Sequence, residues 1–302
     1  MGSTLVPFLL EKGHAVKALD NISFGGASLL GVWSHPKFEF IQADIRDQRA
    51  VENALEDIDA VVHLAAIVGD PACAKAPELA DSVNRGGSLL LFQQSQKANV
   101  KRFVFASTCS NYGRMNNPNK YADERSDLNP LSLYTRTKVD VEQAILRSAS
   151  MTGICSTVLR FATVYGVSPR MRFDLTVNEF TLQLLTEKRL VVFGEQFWRP
   201  YVHVRDIAGA IALVLNSDVK IINNETFNVG NTEQNYTKAQ LVELIKGHLK
   251  DPVEISYVKK EEDPRDYRVS FEKIEKKLGF RTTRTVKEGI SEIIRALQSD
   301  IF

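Results

Sequence analysis

No apolar run in this 302-residue chain approaches the roughly 20 residues that a membrane-spanning helix needs. No charged-then-apolar segment of the secretory kind opens it either. Cysteine is scarce: Cys73, Cys109 and Cys155 are odd in number, far apart and without metal-ligand spacing. That pattern excludes a disulfide framework and a cysteine-based metal site, and suits a reducing compartment. An excess of one charge is missing too. With 38 Lys and Arg against 37 Asp and Glu, the net charge is +1, so no long-range field points to nucleic acid or to an anionic membrane. There is no Pro/Gly-rich linker and no internal repeat. What is present is a 44% hydrophobic chain with ample core for one large domain or two intimate ones, expected in the cytoplasm.

To about residue 165, apolar strands alternate with amphipathic helices, the signature of a parallel sheet covered on both faces. Strands are expected at 15–20, 38–43, 60–65, 102–106 and 155–160. Helices are expected at 3–12 and 77–98, with another that carries Tyr134 and Lys138 after Asn129-Pro130. The fold class is α/β, a Rossmann-like doubly wound parallel sheet. After Gly166 the rhythm turns irregular, with helices expected near 176–187, 205–216, 238–249 and 285–297. Short strands are expected near 190–193, 201–204, 226–229 and 253–258. Residues 1–165 thus read as the doubly wound domain and 166–302 as a smaller lobe, interleaved with the first into one compact unit.

In a doubly wound sheet, ligands collect beyond the C-terminal ends of the strands. Counting the opening strand that the βαβ pattern calls for ahead of helix 3–12, Asp20 closes the second strand, where a carboxylate can accept both hydroxyls of an adenosine ribose and repel a 2′-phosphate, which favours NAD over NADP. A helix cap or turn is the alternative use. Asp44-Ile45 closes the third strand, at an adenine edge or in an ordinary loop. His63-Leu64-Ala65-Ala66 closes the fourth, its small residues suited to close cofactor approach or simply to tight packing. Ser107-Thr108 ends the fifth. Tyr134 and Lys138, at i and i+4, share a helix face. An ammonium beside a phenol stabilises the phenolate, so Tyr134 can exchange a proton with a substrate hydroxyl that Thr108 holds in place.

Taken together, Asp20-Asn21, Ala43-Asp44-Ile45, His63-Leu64-Ala65-Ala66, Asn84, Ser107-Thr108, Tyr112-Gly113, Tyr134 with Lys138, Leu159-Arg160, Val164-Tyr165-Gly166 and Arg199-Pro200-Tyr201-Val202-His203-Val204-Arg205-Asp206 carry a resemblance. The chain resembles the extended short-chain dehydrogenase/reductases that act on nucleotide sugars, the epimerase/dehydratase group. The resemblance implies NAD held permanently by Gly2, Asp20, Asn21, Asp44, Ile45, Leu64, Ala65, Ala66, Asn84, Ser107 and Val164 together with Tyr134 and Lys138. It makes Tyr134 the catalytic base, sets Lys138 on the nicotinamide ribose and gives Thr108 the substrate. A nucleotide-diphosphate sugar then falls to Thr108, Thr163, Asn178, Arg199 and either Arg265 or Arg268, a guanidinium being a bidentate phosphate partner. A surface ion pair is the other use of Arg199. The resemblance also implies a homodimer through the helices near 77–98 and 132–150.

Three departures qualify it. The group's Gly-x-x-Gly-x-x-Gly phosphate loop and the strand before it do not occur, and Gly2 matches only the last glycine. A start assigned about 12 residues late is the expected explanation, by βαβ spacing, and a non-catalytic binding paralogue is the rival. Cys109 and Ser110 stand where 4,6-dehydratases have Asp and Glu, which argues against water loss. Cys109 itself is an acid/base or, more simply, packing. Thr163 replaces the usual Asn before Val-Tyr-Gly. Arg170 and Arg172 face phosphate or sugar, or brace the lobe. The expected reaction is oxidation of the sugar at C-4 followed by epimerisation. Release of the keto sugar by a 4-dehydrogenase is the alternative, and a reductase of steroids or small alcohols a weaker third.

Overall fold

The computed structural model describes residues 1–115, 117, 120–149, 153–260 and 265–302. Along the chain α1 (Gly2–Glu11) leads into β1 (Val16–Asp20), β2 (Phe38–Gln42), α2 (Gln48–Ala54) and β3 (Ala60–His63). Then come α3 (Asp70–Lys75), α4 (Pro77–Asp81), α5 (Ser88–Lys97), β4 (Arg102–Thr108), α6 (Leu133–Ala149), β5 (Cys155–Phe161) and β6 (Thr163–Tyr165). The remainder runs α7 (Thr176–Thr186), β7 (Arg189–Phe193), β8 (Trp198–His203), α8 (Val204–Asn216), α9 (Val219–Ile222) and β9 (Glu225–Val229). It closes with β10 (Asn235–Thr237), α10 (Lys238–Lys246), β11 (Glu254–Val258), α11 (Glu272–Leu278) and α12 (Val286–Gln298). The chain divides into two compact units: residues 1–111, 130–160 and 208–227 make the first, and 112–129, 161–207 and 228–302 the second. The change at 160/161 lies near the expected boundary, but 112–129 belongs with the second unit and 208–227 with the first.

In the first unit β4 and β5 are buried on both faces, as helix-covered strands of a parallel sheet must be. They form a four-stranded sheet in the order β3-β4-β5-β9, while β1 and β2 pair with each other in parallel as a separate ribbon. Among the described residues β1 and β3 are therefore edge strands, and most of their side chains are only half-buried, with Asp20 exposed and His63 buried. Phe103, Phe105, Val141, Ile145 and Val158 pack with Val51 and Phe92 into the core, pressing α6 onto β4. The single helix expected at 77–98 is interrupted. Ser82–Gly87 form a π-helical turn between α4 and α5, a widening that often accompanies function. Gly87 permits this turn to close on the loop after β2, because a Cβ there would lie 2.8 Å from Ile45.

The second unit holds a three-stranded sheet, β10-β8-β6, and the ribbon β11-β7. Its core joins Val177, Phe180 and Leu184 of α7 to Leu190, Val192, Leu241, Ile290 and Ile293. α10 and α12 each begin with a capping box, Thr237 with Gln240 and Thr285 with Glu288, which satisfies the orphan N–H groups of the first turn. β8 starts at Trp198, three residues before the expected strand, so Arg199 lies within it. His203 closes β8 fully buried. Its Nδ1 accepts from the Arg205 N–H at 3.2 Å, which leaves Nε2 to donate to Glu292 at 2.7 Å. Beside it the Asp206 carboxylate receives the N–H and hydroxyl of Thr283 and the N–H of Arg284.

Candidate active site

The C-terminal end of β4 and the inward face of α6 carry the residues expected to handle the proton, Thr108, Tyr134 and Lys138, all within the first unit. Lys138 is buried, 3% exposed. Its Nζ donates to the Ala106 carbonyl at 2.8 Å and sits 4.7 Å from the centre of the Phe105 ring. Burial pushes this lysine down to about 8, against the upward pull of Glu142 and Cys73. Tyr134 lies one turn earlier on the same face, half-buried at the start of α6. Thr108 ends β4 at 9% exposure, and its Oγ1 accepts the Ser110 N–H at 3.1 Å. That bond occupies a lone pair and leaves the hydroxyl proton to be donated to a ligand oxygen.

Beneath these residues lies a group that the sequence reading passed over. The Glu142 carboxylate, 1% exposed, receives the Ser107 hydroxyl, Asn111 Nδ2 at 2.8 Å and Arg160 Nη2 at 2.7 Å, with Arg160 Nε at 3.1–3.2 Å. Asn111 Nδ2 also reaches Ser107 Oγ at 3.1 Å. The signal was available: Glu142 is at i+4 from Lys138 and i+8 from Tyr134, on the same face. Ser107, expected on the cofactor, instead directs its hydroxyl into this network. Cys109 is fully buried and its thiol faces the Arg160 carbonyl at 3.2 Å. The structure therefore gives it packing rather than acid/base work.

Of the expected cofactor residues at the strand ends of the first unit, Asp20 and Asn21 are exposed. Asp20 Oδ1 accepts the Ile22 N–H at 2.7 Å, and Asn21 Oδ1 accepts from the Ser23 N–H and hydroxyl. The second carboxylate oxygen of Asp20 is left for a ligand. Asp44 is gripped by Arg46 through Nε at 2.9 Å and Nη2 at 2.7 Å, which holds its carboxyl below the usual range. Ile45 is buried beside Gly87, while Leu64, Ala65 and Ala66 form half-buried loop after β3. Gly2 is the first residue of α1, and a Cβ there would meet nothing within 4 Å.

Asn84 is a correction to direct cofactor contact. It is fully buried in the π turn, its Oδ1 accepting the Ile67 N–H at 2.7 Å and its Nδ2 donating to the Ile67 carbonyl at 2.9 Å. It shapes the loop after β3 rather than reaching outward. Asn178 in the second unit is used the same way. Its Oδ1 accepts the Gly166 N–H at 3.0 Å and its Nδ2 donates to the Arg172 carbonyl at 2.9 Å. Thr163 and Val164 lie in β6, paired in parallel with Tyr201 and Val202 of β8. Arg172 is tied to Asp174.

The second unit also contains a cavity of about 750 Å³. Arg189, Arg199, Lys238 and Arg265 supply cations. Arg199 is 6% exposed, donates Nη1 to the Trp198 carbonyl at 2.7 Å and lies 5.6 Å over the Tyr267 ring. Arg265 lines the cavity, whereas Arg268 is held between Tyr121 at 4.6 Å and Trp198 at 4.8 Å. Of the two arginines left open by sequence, geometry sets Arg265 beside Arg199.

A family model for the NAD dependent epimerase/dehydratase family matches residues 1–230. The chain belongs to that family. This epimerase/dehydratase is 28% identical, over 309 residues covering 99% of it and 96% of the relative, to a putative UDP-glucose 4-epimerase of Methanocaldococcus jannaschii. Its fold is similar to UDP-glucose 4-epimerase of Thermotoga maritima, solved with UDP-glucose. There the TM-score is 0.86, with 28% identity over all of this chain and 96% of that one. It is also similar to the Thermus thermophilus UDP-glucose 4-epimerase complex with NAD, at a TM-score of 0.85 and 26% identity over 98% and 95% of the two chains. NAD is the family's cofactor. The donor set of the first unit fits its ribose ends: Lys138 has spent one of three N–H donors on protein, and Asp20 one of two carboxylate oxygens. The sequence holds no Gly-x-x-Gly-x-x-Gly for the pyrophosphate.

Proposed function

We propose that this epimerase/dehydratase acts on a nucleotide-diphosphate sugar, oxidising C-4 and completing a 4-epimerisation. The observation that carries the reading is the buried Lys138 ammonium on the Tyr134 face of α6, docked two residues before Thr108 on β4. Lys138 and Asp20 would hold the two riboses of NAD, which when bound supplies hydride transfer at C-4. Tyr134 takes the proton of the C-4 hydroxyl, stabilised as phenolate by the Lys138 charge. Thr108 donates its hydroxyl proton to the same sugar oxygen and fixes its position. When the keto sugar is reduced, Tyr134 returns the proton to the new hydroxyl. Reduction from the opposite face gives the 4-epimer, whereas release of the keto sugar makes the protein a 4-dehydrogenase. The diphosphate falls to Arg199 and Arg265, two of the four cations that border the cavity of the second unit.

Tyr134→Phe tests this directly. Turnover of UDP- and GDP-linked hexoses, followed by NMR of the 4-epimer, should fall about 100-fold or more, the share that a positioned proton carrier supplies. Calorimetric binding of the same nucleotide sugars should stay within about threefold, under 1 kcal/mol. Retained turnover, or loss of binding in place of turnover, removes Tyr134 as the proton carrier.

A further inference from the structure

Glu142 holds a place that the reaction just proposed does not use. It is 1% exposed, yet its carboxylate receives donors from three separate elements: Ser107 at the end of β4, Asn111 in the turn after it, and Arg160 on β5. Its own element, α6, carries Tyr134 eight residues earlier and Lys138 four residues earlier. A carboxylate with this many partners cannot shift without moving the strand end and the helix face together.

We propose that Glu142 is the positioning residue of the proton-transfer set: it locks the strand end bearing Thr108 to the helix face bearing Tyr134 and Lys138, and sets a negative charge one helical turn from the buried ammonium. The inference rests on the reading of Tyr134 and Lys138 above. Facing Lys138 are the Phe105 ring and Ala106 carbonyl of β4, His63 of β3, Cys73 of α3 and Glu142. Burial keeps the His63 imidazole and the Cys73 thiol neutral near pH 7, so Glu142 is the anion of the set. Removing its charge leaves Arg160, 5% exposed, as an uncompensated cation in the same interior. Repulsion between like charges then favours loss of the Lys138 proton.

The test uses the full chain with Glu142→Gln, Glu142→Asp and the double variant Glu142→Gln/Arg160→Met. One readout is independent of turnover: the 13C NMR titration of the Lys138 ε-carbon, assigned by its disappearance in Lys138→Met. Glu142→Gln should move that titration down by about one pH unit or more and carry the alkaline limb of the kcat profile with it. KM should stay within about threefold, since ground-state contacts are untouched. Glu142→Asp, which keeps charge but loses reach, should leave the titration in place and lower kcat across the pH range. The double variant should bring the titration back toward wild type. If Glu142→Gln fails to fold, the Asp and double variants carry the same comparison, with thermal melts setting the folded fraction. An unmoved Lys138 titration together with kcat tracking only the folded fraction would overturn the proposal. A titration that moves as stated in a protein that turns over no nucleotide sugar would uphold Glu142 and reject the proposed reaction instead.

Discussion

Lys138 shows what one buried charge costs. Its folded value of about 8 lies below the ordinary 10.5. The penalty is absent above 10.5, where the amine is neutral in both states, and is fully developed below about 8, where only desolvation separates them. At about 1.4 kcal/mol per pH unit it reaches on the order of 3 kcal/mol at neutral pH. Lys138→Met, of similar length and apolar, should therefore raise the melting temperature at pH 7 while abolishing turnover, the trade expected where a site is built against stability. A lower melting temperature at pH 7 would show that the bond to Ala106 outweighs the desolvation. At this scale the sequence was legible where spacing carries meaning, since Tyr134 and Lys138 stand at helical spacing. It was silent where a side chain's partners decide its use. Asn84 and Asn178 both look like ligand contacts until their amides are found spent on the main chain of Ile67, Gly166 and Arg172.

Elements were legible in proportion to their length and periodicity. β4 carries the apolar run Phe103–Ala106 and β5 the apolar Cys155, Val158, Leu159 and Phe161, while α7, α8, α10 and α12 keep a 3.6-residue period, so all were expected within a few residues. The three-residue strands β6 and β10 have no period to read. The π turn at Ser82–Gly87 sits inside a helical pattern that runs on through it, because one wide turn barely disturbs periodicity. Two helical glycines show the same limit and offer a test. A Cβ on Gly289 in α12 would lie 2.3 Å from the Tyr165 ring, whereas on Gly209 in α8 it would meet nothing within 4 Å. Gly289→Ala should destabilise by roughly 1–3 kcal/mol, the cost of overpacking a filled core. Gly209→Ala should be neutral or stabilising by up to about 1 kcal/mol, the difference in helix propensity. Denaturant midpoints measured side by side decide it. Equal shifts would mean that α12 moves aside for the extra methyl.

For the whole molecule, the acid side of the stability curve follows from a residue that none of the proposed chemistry uses. His63 is buried against Phe103 and Phe105, and Nε2 lies 2.8 Å from Ser88 Oγ. The Ser88 hydroxyl donates to the Asn84 carbonyl at 2.6 Å, so the imidazole carries its proton on Nε2 and is neutral. Burial, helped by the Lys138 charge, pushes it from 6.5 down to about 3. Between those values the unfolded chain takes up a proton that the folded chain refuses, so stability falls as pH falls from 6.5 toward 3, by on the order of a few kcal/mol. Asp44 and Asp174, held low by Arg46 and Arg172, act in the same direction, since their stabilisation is lost as they protonate. Glu124 and Glu179, raised by burial, oppose it weakly, because they bind protons more readily when folded. With His63 the largest of these, the melting temperature should drop steadily from pH 7 to pH 4. The His63→Gln variant, whatever its absolute stability, should show a shallower slope between pH 6.5 and 4.5, where the carboxylates contribute least. A slope unchanged by the substitution, or an imidazole resonance that titrates near 6 in the folded protein, would mean that His63 accepts its charge in the fold and that acid sensitivity arises from the carboxylates.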